Sequence, residues 1–293
     1  MATCAPFCVH ASRTAAHDCV MDSPDLNAGG RARVDGDRVS PVTRPDSAER
    51  PHWEVVSFVR RSARMNPSQE RAWREHRETY LVDVVRGSMT TSVEPQDPLD
   101  WAHIFGRTAP TIVEIGAGNG DSLVATAVAH PDSDIIGFEV FEPSIASTVG
   151  KLAAARLGNA RIVLADGVQG LRWLVRSGSL EAVHAFFPDP WHKARHHKRR
   201  LLSAATSALI ADRLRPGGLL RLATDWESYA LAMREVLDTS VLTNVHPSTS
   251  SGTDPSTGSG AGWAPRFEER PLTKYESRGI AAGRTVYDLC YRR

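Results

Sequence analysis

From about residue 110 onward, apolar residues gather in short runs separated by helix-length stretches. Thr111–Ile115 (TIVEI), Ile135–Val140 (IIGFEV), Arg161–Ala165 (RIVLA), Val183–Phe187 (VHAFF) and Leu219–Ala223 (LLRLA) each read as a strand. Between them Leu123–Ala129, Pro143–Leu157, Gly170–Arg176 and Lys198–Leu214 read as helices. Pro216-Gly217-Gly218 is expected to stop the last of these, and Tyr229–Leu237 follows as a further helix. Strands alternating with helices predict an α/β fold whose mostly parallel sheet is covered on both faces.

The alternation fails at both ends. Residues 1–50 are rich in Ala, Asp, Arg, Pro, Ser and Gly and poor in aromatics, a composition that cannot bury enough apolar surface to offset chain entropy. A disordered tail is expected there, and a single domain over 51–293. Its N-terminal arm, 52–105, includes Val55–Val59 as a short strand or extended segment. A helix begins at Asn66-Pro67 or Ser68 and runs past Trp73. His246–Gly262 (HPSTSSGTDPSTGSGAG) reads as a flexible Ser/Gly loop. TVYDLCYRR, 285–293, reads as a last strand, and a helix-free connection into it predicts an antiparallel hairpin at the sheet edge.

Composition narrows the class. Hydrophobic content of 41% and charged content of 24% fit a soluble globular chain. No apolar run approaches the roughly 20 residues that span a bilayer, and the N-terminus lacks the pattern of a secretory signal. A cytoplasmic protein without a membrane partner is expected. Cys4, Cys8 and Cys19 lie near His10 and His17, but the spacing is not that of paired zinc ligands, so no metal is expected. A formal net charge of +1 excludes a uniformly basic surface and leaves room for a local basic stripe. Arg60, Arg61, Arg64, Arg71 and Arg74 form one such patch, which a solvated face would equally explain.

Candidate chemistry sits where the strands end. The first runs into Glu114-Ile115-Gly116-Ala117-Gly118-Asn119-Gly120, a GxGxG turn through which a ligand can approach the backbone. The dinucleotide fingerprint is GxGxxG, so this spacing points away from nicotinamide cofactors. Glu139 ends the second strand, where an acid accepts ribose hydroxyls, and Asp166 ends the third, where a carboxylate can take an adenine amino group. Asp166 would also serve as a helix N-cap. This arrangement resembles the class I S-adenosylmethionine-dependent methyltransferases. The resemblance implies a Rossmann-like, mostly parallel seven-stranded sheet with a C-terminal antiparallel hairpin.

The fourth strand leads into FFPDPWHKARHHKRRLL, 186–202. Two prolines restrict the backbone around Asp189. Trp191 offers a stacking face or a core filler. Lys193, Arg195, Lys198, Arg199 and Arg200 can neutralise phosphates, and His192, His196 and His197 more naturally meet phosphate or water than a metal. This stretch, with ALIADRLRPGGLLRLATDWESYA, TKYESRG and SFVRRSARMNPSQE, resembles the bacterial tRNA (guanine-N7-)-methyltransferases. The resemblance runs from about Ser57 onward and departs at Ser62-Ala63-Arg64, where a glycine is expected, and at the long insertion before Trp263.

That resemblance implies methyl transfer from S-adenosylmethionine to N7 of a variable-loop guanine in tRNA. It implies cofactor contacts at Glu114, Gly116, Gly118, Gly120, Glu139 and Asp166, with Asp189 both beside the cofactor and catalytic. Substrate contacts fall on Lys193, Asp225, Thr273, Lys274, Tyr275 and Glu276. Asp225 would otherwise cap the helix starting near Trp226, and Lys274 and Glu276 would otherwise form surface ion pairs. No obligatory protein partner is implied, and the protein is expected as a monomer or homodimer. Two other readings stay open at this point: methylation of an exocyclic amine, since Pro-Asp-Pro-Trp neighbours the Asn/Asp-Pro-Pro-aromatic motif, and a non-catalytic RNA-binding protein on the same scaffold.

Overall fold

The computed structural model describes residues 64–87, 89, 91–246 and 262–293, all within one unit spanning Trp53–Arg293. The expected tail 1–50, the segment Val55–Val59 and all but the end residues of the loop 246–262 lie outside the described residues. Helix α1 spans Pro67–Tyr80. Asn66 caps it by accepting from the Gln69 N–H at 3.0 Å, and the Gln69 side chain accepts from the Asn66 N–H at 2.8 Å, a reciprocal box. A single-turn α2, Trp101–Phe105, precedes the sheet.

The alternation then runs β1 Thr111–Ile115, α3 Asp121–Ala129, β2 Asp134–Glu139, α4 Glu142–Ala154, β3 Ala160–Leu164, α5 Gly167–Leu174 and β4 Leu180–Phe186. After β4 come α6 Ala204–Arg213, β5 Leu214–Thr224, α7 Glu227–Asp238, β6 Thr243–Asn244, α8 Lys274–Ala281 and β7 Tyr287–Arg292. The sheet order is β3-β2-β1-β4-β5-β7-β6. β1 to β5 pair in parallel, while β7 lies antiparallel between β5 and β6. One face packs Leu123, Ala127, Ile145, Val149 and Leu152 of α3 and α4, with Tyr80 of α1. The other packs Leu171, Ile210, Tyr229, Met233 and Leu237 of α5, α6 and α7. Both faces are therefore covered, as buried parallel strands require.

Three expectations need correction. Lys198–Leu214 is not one helix. A 3-10 helix spans Ala194–Arg199, and Ser203 then caps α6 by accepting from the Thr206 N–H at 3.2 Å. Crowded like charges disfavour a continuous helix through 193–200. Pro216-Gly217-Gly218 does not end α6 either, because the chain is already extended at Leu214. Gly217, at φ 80°, sits instead in the stretch where the β4–β5 register shifts. The connection into β7 is also not helix-free: α8 occupies it, and its start was written in Thr273-x-x-Glu276.

Gly170 in α5 shows how closely the sheet and helices fit. A Cβ there would meet the buried Phe138 ring at 2.4 Å. Alanine elsewhere in a helix gains about 1 kcal/mol over glycine. Here Gly170→Ala is expected to lower stability by about 1–3 kcal/mol through overpacking. The urea midpoint reports it, and an unchanged or higher midpoint would show that the ring gives way freely.

Candidate cofactor and acceptor site

The turn after β1 continues the β1–β2 ladder. Gly116 N–H and Ala117 N–H both donate to the Phe138 carbonyl, at 2.8 and 3.1 Å. Gly118 N–H donates to Glu139 Oε2 at 2.7 Å. The other Glu139 oxygen accepts from Val140 N–H at 2.7 Å and Phe141 N–H at 2.9 Å. Gly116 and Gly118 hold left-handed φ of 74° and 53°, which glycine adopts without strain. α4 fastens the turn from behind, with the Thr148 hydroxyl donating to Gly118 O at 3.2 Å and Lys151 Nζ to Asn119 O at 2.7 Å. Gly120 packs so closely on Thr148 that a Cβ would come within 2.5 Å of its Oγ1.

Glu114 and Asp166 complete the acids at this edge. Glu114 is 3% exposed, and its Oε2 has no hydrogen-bond partner. Burial pushes its carboxyl up to about 8; the nearby Ser122 hydroxyl pulls it down and the charge of Glu139 adds to the rise. Asp166 caps α5, its Oδ1 accepting from Val168 N–H at 3.0 Å and Gln169 N–H at 3.1 Å. Sequence reasoning missed the strap over it: Asp166 N–H donates to Thr91 O at 2.7 Å, and Val93 N–H to Gln169 Oε1 at 2.8 Å. No local pattern marks that strap, since its partners are distant in sequence.

Asp189 is exposed in the turn after β4. The residues at either end of that turn, Phe187 (φ 52°) and Trp191 (φ 46°), are both left-handed although neither is glycine. Such conformations persist only where the surroundings enforce them. Arg200 does part of this, donating from Nε to Pro190 O at 2.9 Å while lying 4.7 Å over the Tyr229 ring. Arg200 is thus half-buried, unlike the neighbouring Lys and Arg side chains. Lys193, Arg195, Lys198 and Arg199 are exposed. Trp191 is half-buried, with Arg199 5.0 Å over its ring and His196 edge-on at 5.9 Å.

Asp225 and Glu276 are each held by ion pairs. Asp225 is not a cap: Trp226 N–H donates to Thr224 Oγ1, and Asp225 Oδ2 meets Arg284 Nε at 3.1 Å. A Cβ on Gly279 of α8 would come within 3.1 Å of that same Asp225 oxygen, so α8 lies against this pair. Thr273 caps α8, accepting from Glu276 N–H at 3.2 Å, and Lys274 and Tyr275 form its first turn. Glu276 is not a surface group. It is 1% exposed and paired with Arg270 Nη1 at 2.8 Å and Arg266 Nε at 3.3 Å. Asp288 of β7 takes the other side of Arg270, and burial pushes its carboxyl up to about 6 against the pull of that guanidinium.

The residues present fit S-adenosylmethionine. A Cβ on Gly116 would meet nothing within 4 Å, so the backbone of the turn is open to a ligand. Beside it lie the Glu139 carboxylate and the partnerless Glu114 oxygen. Sheet order, reversed β7, glycine turn and strand-end acids define a class I S-adenosylmethionine-dependent methyltransferase. Residues 108–289 match the family described as "Putative methyltransferase". A tRNA (guanine-N(7)-)-methyltransferase of Cutibacterium acnes is 52% identical over 84% of this chain and 86% of its own length. Those of an Arthrobacter species and a Nocardioides species are 40% and 43% identical, over 81% and 82% of this chain and 86% and 88% of their own. The chain belongs to the tRNA (guanine-N(7)-)-methyltransferase family.

Among the described residues no helix is long and apolar enough to cross a membrane, and no three His, Cys, Asp or Glu side chains cluster to hold a metal. Cys4, Cys8 and Cys19 lie outside those residues.

Glu114 generates a pH prediction. The folded protein keeps the Glu114 proton up to about pH 8, whereas an unperturbed glutamate carboxyl releases it at 4.5. The folded state thus binds the extra proton across that window. The stability from this group is complete below 4.5 and is lost as pH rises through about 8. The stability of Glu114→Gln relative to the parent is expected to rise from about pH 5 to about pH 8 and level off above. Urea melts across that range report it, and a constant difference would exclude a shifted Glu114.

Proposed function

We infer that the protein transfers the methyl group of S-adenosylmethionine to N7 of a guanine in the variable loop of tRNA. The observation that carries the reading is Asp189. It stands exposed in a turn forced left-handed at both ends, at the same sheet edge as Glu114, Glu139 and Asp166 and beside an exposed basic 3-10 helix. The relatives named above bear the same activity in their names. They favour it over exocyclic-amine methylation and over a non-catalytic RNA-binding role.

Bound S-adenosylmethionine supplies a methyl already activated on its sulfonium. Glu139 is assigned to the ribose hydroxyls, Gly116, Gly118 and Gly120 to the close backbone approach, and Glu114 and Asp166 to the remaining polar groups. Guanine N7 carries an in-plane lone pair and no proton, so no general base is needed. Asp189 has two other tasks. As an acceptor it takes the guanine N1–H and amino group, which selects guanine over adenine. As an anion it favours the positive charge that builds on the ring as N7 is methylated.

Lys193, Arg195, Lys198 and Arg199 are assigned to RNA phosphates, and the segment Thr273-Lys274-Tyr275-Glu276 to the acceptor side of the pocket. Asp225 acts there through Arg284 and α8. The reading requires no protein partner and no membrane, suits a monomer or a homodimer, and places the protein in the cytoplasm with its substrate.

Incubation with labelled methyl donor and unmodified tRNA should place the label on N7-methylguanosine; label on an amino group would overturn the assignment. Asp189→Asn is expected to keep cofactor and tRNA affinities within about 3-fold and to slow methylation about 100-fold or more. Equal rates would remove Asp189 from the mechanism. Replacing Lys198 and Arg199 together by Ala should reduce the slope of log affinity against log salt by about 2. Filter binding across a salt series measures it, and an unaltered slope would take this run away from the phosphates.

A further inference from the structure

We propose that Arg270 is a positioning residue for methyl transfer, its buried guanidinium tying the start of α8 to the turn that carries Asp189. The inference rests on the reading just given. The Arg270 side chain is 1% exposed, too deep to meet RNA. Nη1 lies 2.8 Å from Glu276 of α8, and Nη2 lies 3.0 Å from both carboxylate oxygens of Asp288 on β7. Its Cζ lies over two rings, 5.6 Å from the centroid of Phe186 and 5.2 Å from that of Phe187. Phe187 is the left-handed residue where the Asp189 turn begins. One side chain thus touches the end of β4, the first turn of α8 and β7.

The chemistry requires an arginine. Two buried carboxylates face each other across this point, and removing the cation between them leaves uncompensated charge. A guanidinium presents separate nitrogens in one plane, so it can face both acids while its cationic carbon stays near the two rings. A lysine ammonium keeps the charge but cannot do both. The acceptor guanine would be gripped between the Asp189 turn and the α8 segment, so their separation sets its approach to the methyl. A misplacement of about 1 Å from a change remote from the reacting atoms can cost about 100-fold in rate.

The test uses the full-length protein, S-adenosylmethionine and a tRNA transcript, with Arg270→Lys, Glu276→Gln and the double variant. For folded Arg270→Lys, the single-turnover rate of N7-methylguanosine formation at saturating cofactor and tRNA should fall about 10- to 100-fold. Cofactor and tRNA affinities should stay within about 3-fold of the parent. The double variant should be no slower than Arg270→Lys alone, since both changes break one coupling.

A parent-like saturated rate in Arg270→Lys would overturn the proposal. So would a defect that disappears when tRNA is raised, or losses that add in the double variant. Should Arg270→Lys fail to fold, Glu276→Gln carries the test: a lowered saturated rate with tRNA affinity within about 3-fold of the parent supports the coupling, and a parent-like rate or a defect in tRNA affinity overturns it. A folded, cofactor-binding parent that makes no N7-methylguanosine would overturn the N7 reading and this inference together, an outcome distinct from a variant-specific result.

Discussion

The parallel ladder between β1 and β2 does not stop where the strands stop. It pairs Ile115 with Phe138, then runs on through the amides of Gly116 and Ala117 to the Phe138 carbonyl, and finally through Gly118 to the Glu139 carboxylate. Main-chain hydrogen bonds that are buried must be made, so this continuation fixes the turn before any ligand arrives. The orientation of Glu139, the open backbone at Gly116 and the seat of α4 behind the turn all follow from it. A cofactor pocket built on a ladder needs little rearrangement to bind, which is what preorganisation means in energetic terms.

The acceptor side is built differently. Its parts come from the end of β4, from α8 and from β7, and no ladder joins the first two. Arginines do the joining: Arg284 pairs with Asp225, and Arg270 pairs with Glu276 and Asp288 while its Cζ lies over the Phe186 and Phe187 rings. Buried pairs of this kind add little net stability, because desolvation offsets most of the attraction. Their contribution is geometric, since each guanidinium fork admits few arrangements of its partners.

The fold was largely legible because strands between helices in a parallel sheet are uniformly apolar. TIVEI matches β1 to the residue, while β4 starts three residues earlier than VHAFF, at Leu180. The glycine turn and the strand-end acids could be read because their spacing is local. Two kinds of feature could not. The sequence reads as helix from Lys198 because Lys and Arg carry good helix propensity, and propensity does not register the like charges crowded around it. Arg270 and Arg284 passed unnoticed because a buried arginine is defined by partners far along the chain. Glu276 shows the same limit: its residue type suggested a surface, and only the fold shows that it faces inward.

The position of β7 has a consequence for the order in which the protein comes together. β1 pairs with β2, and β2 with β3, across single-helix crossovers, so the glycine turn and the acids that follow these strands come together through loops of modest length. β7 must travel back from beyond α8 to slot between β5 and β6, pairing Asp288 with Ala223. Contacts between such distant residues carry more loop entropy and form more slowly. Asp288 is also one of the two acids that hold Arg270, so the Arg270 contacts depend on this long-range pairing. Loop entropy therefore favours closing the glycine-turn side of the sheet before the β5–β7 side.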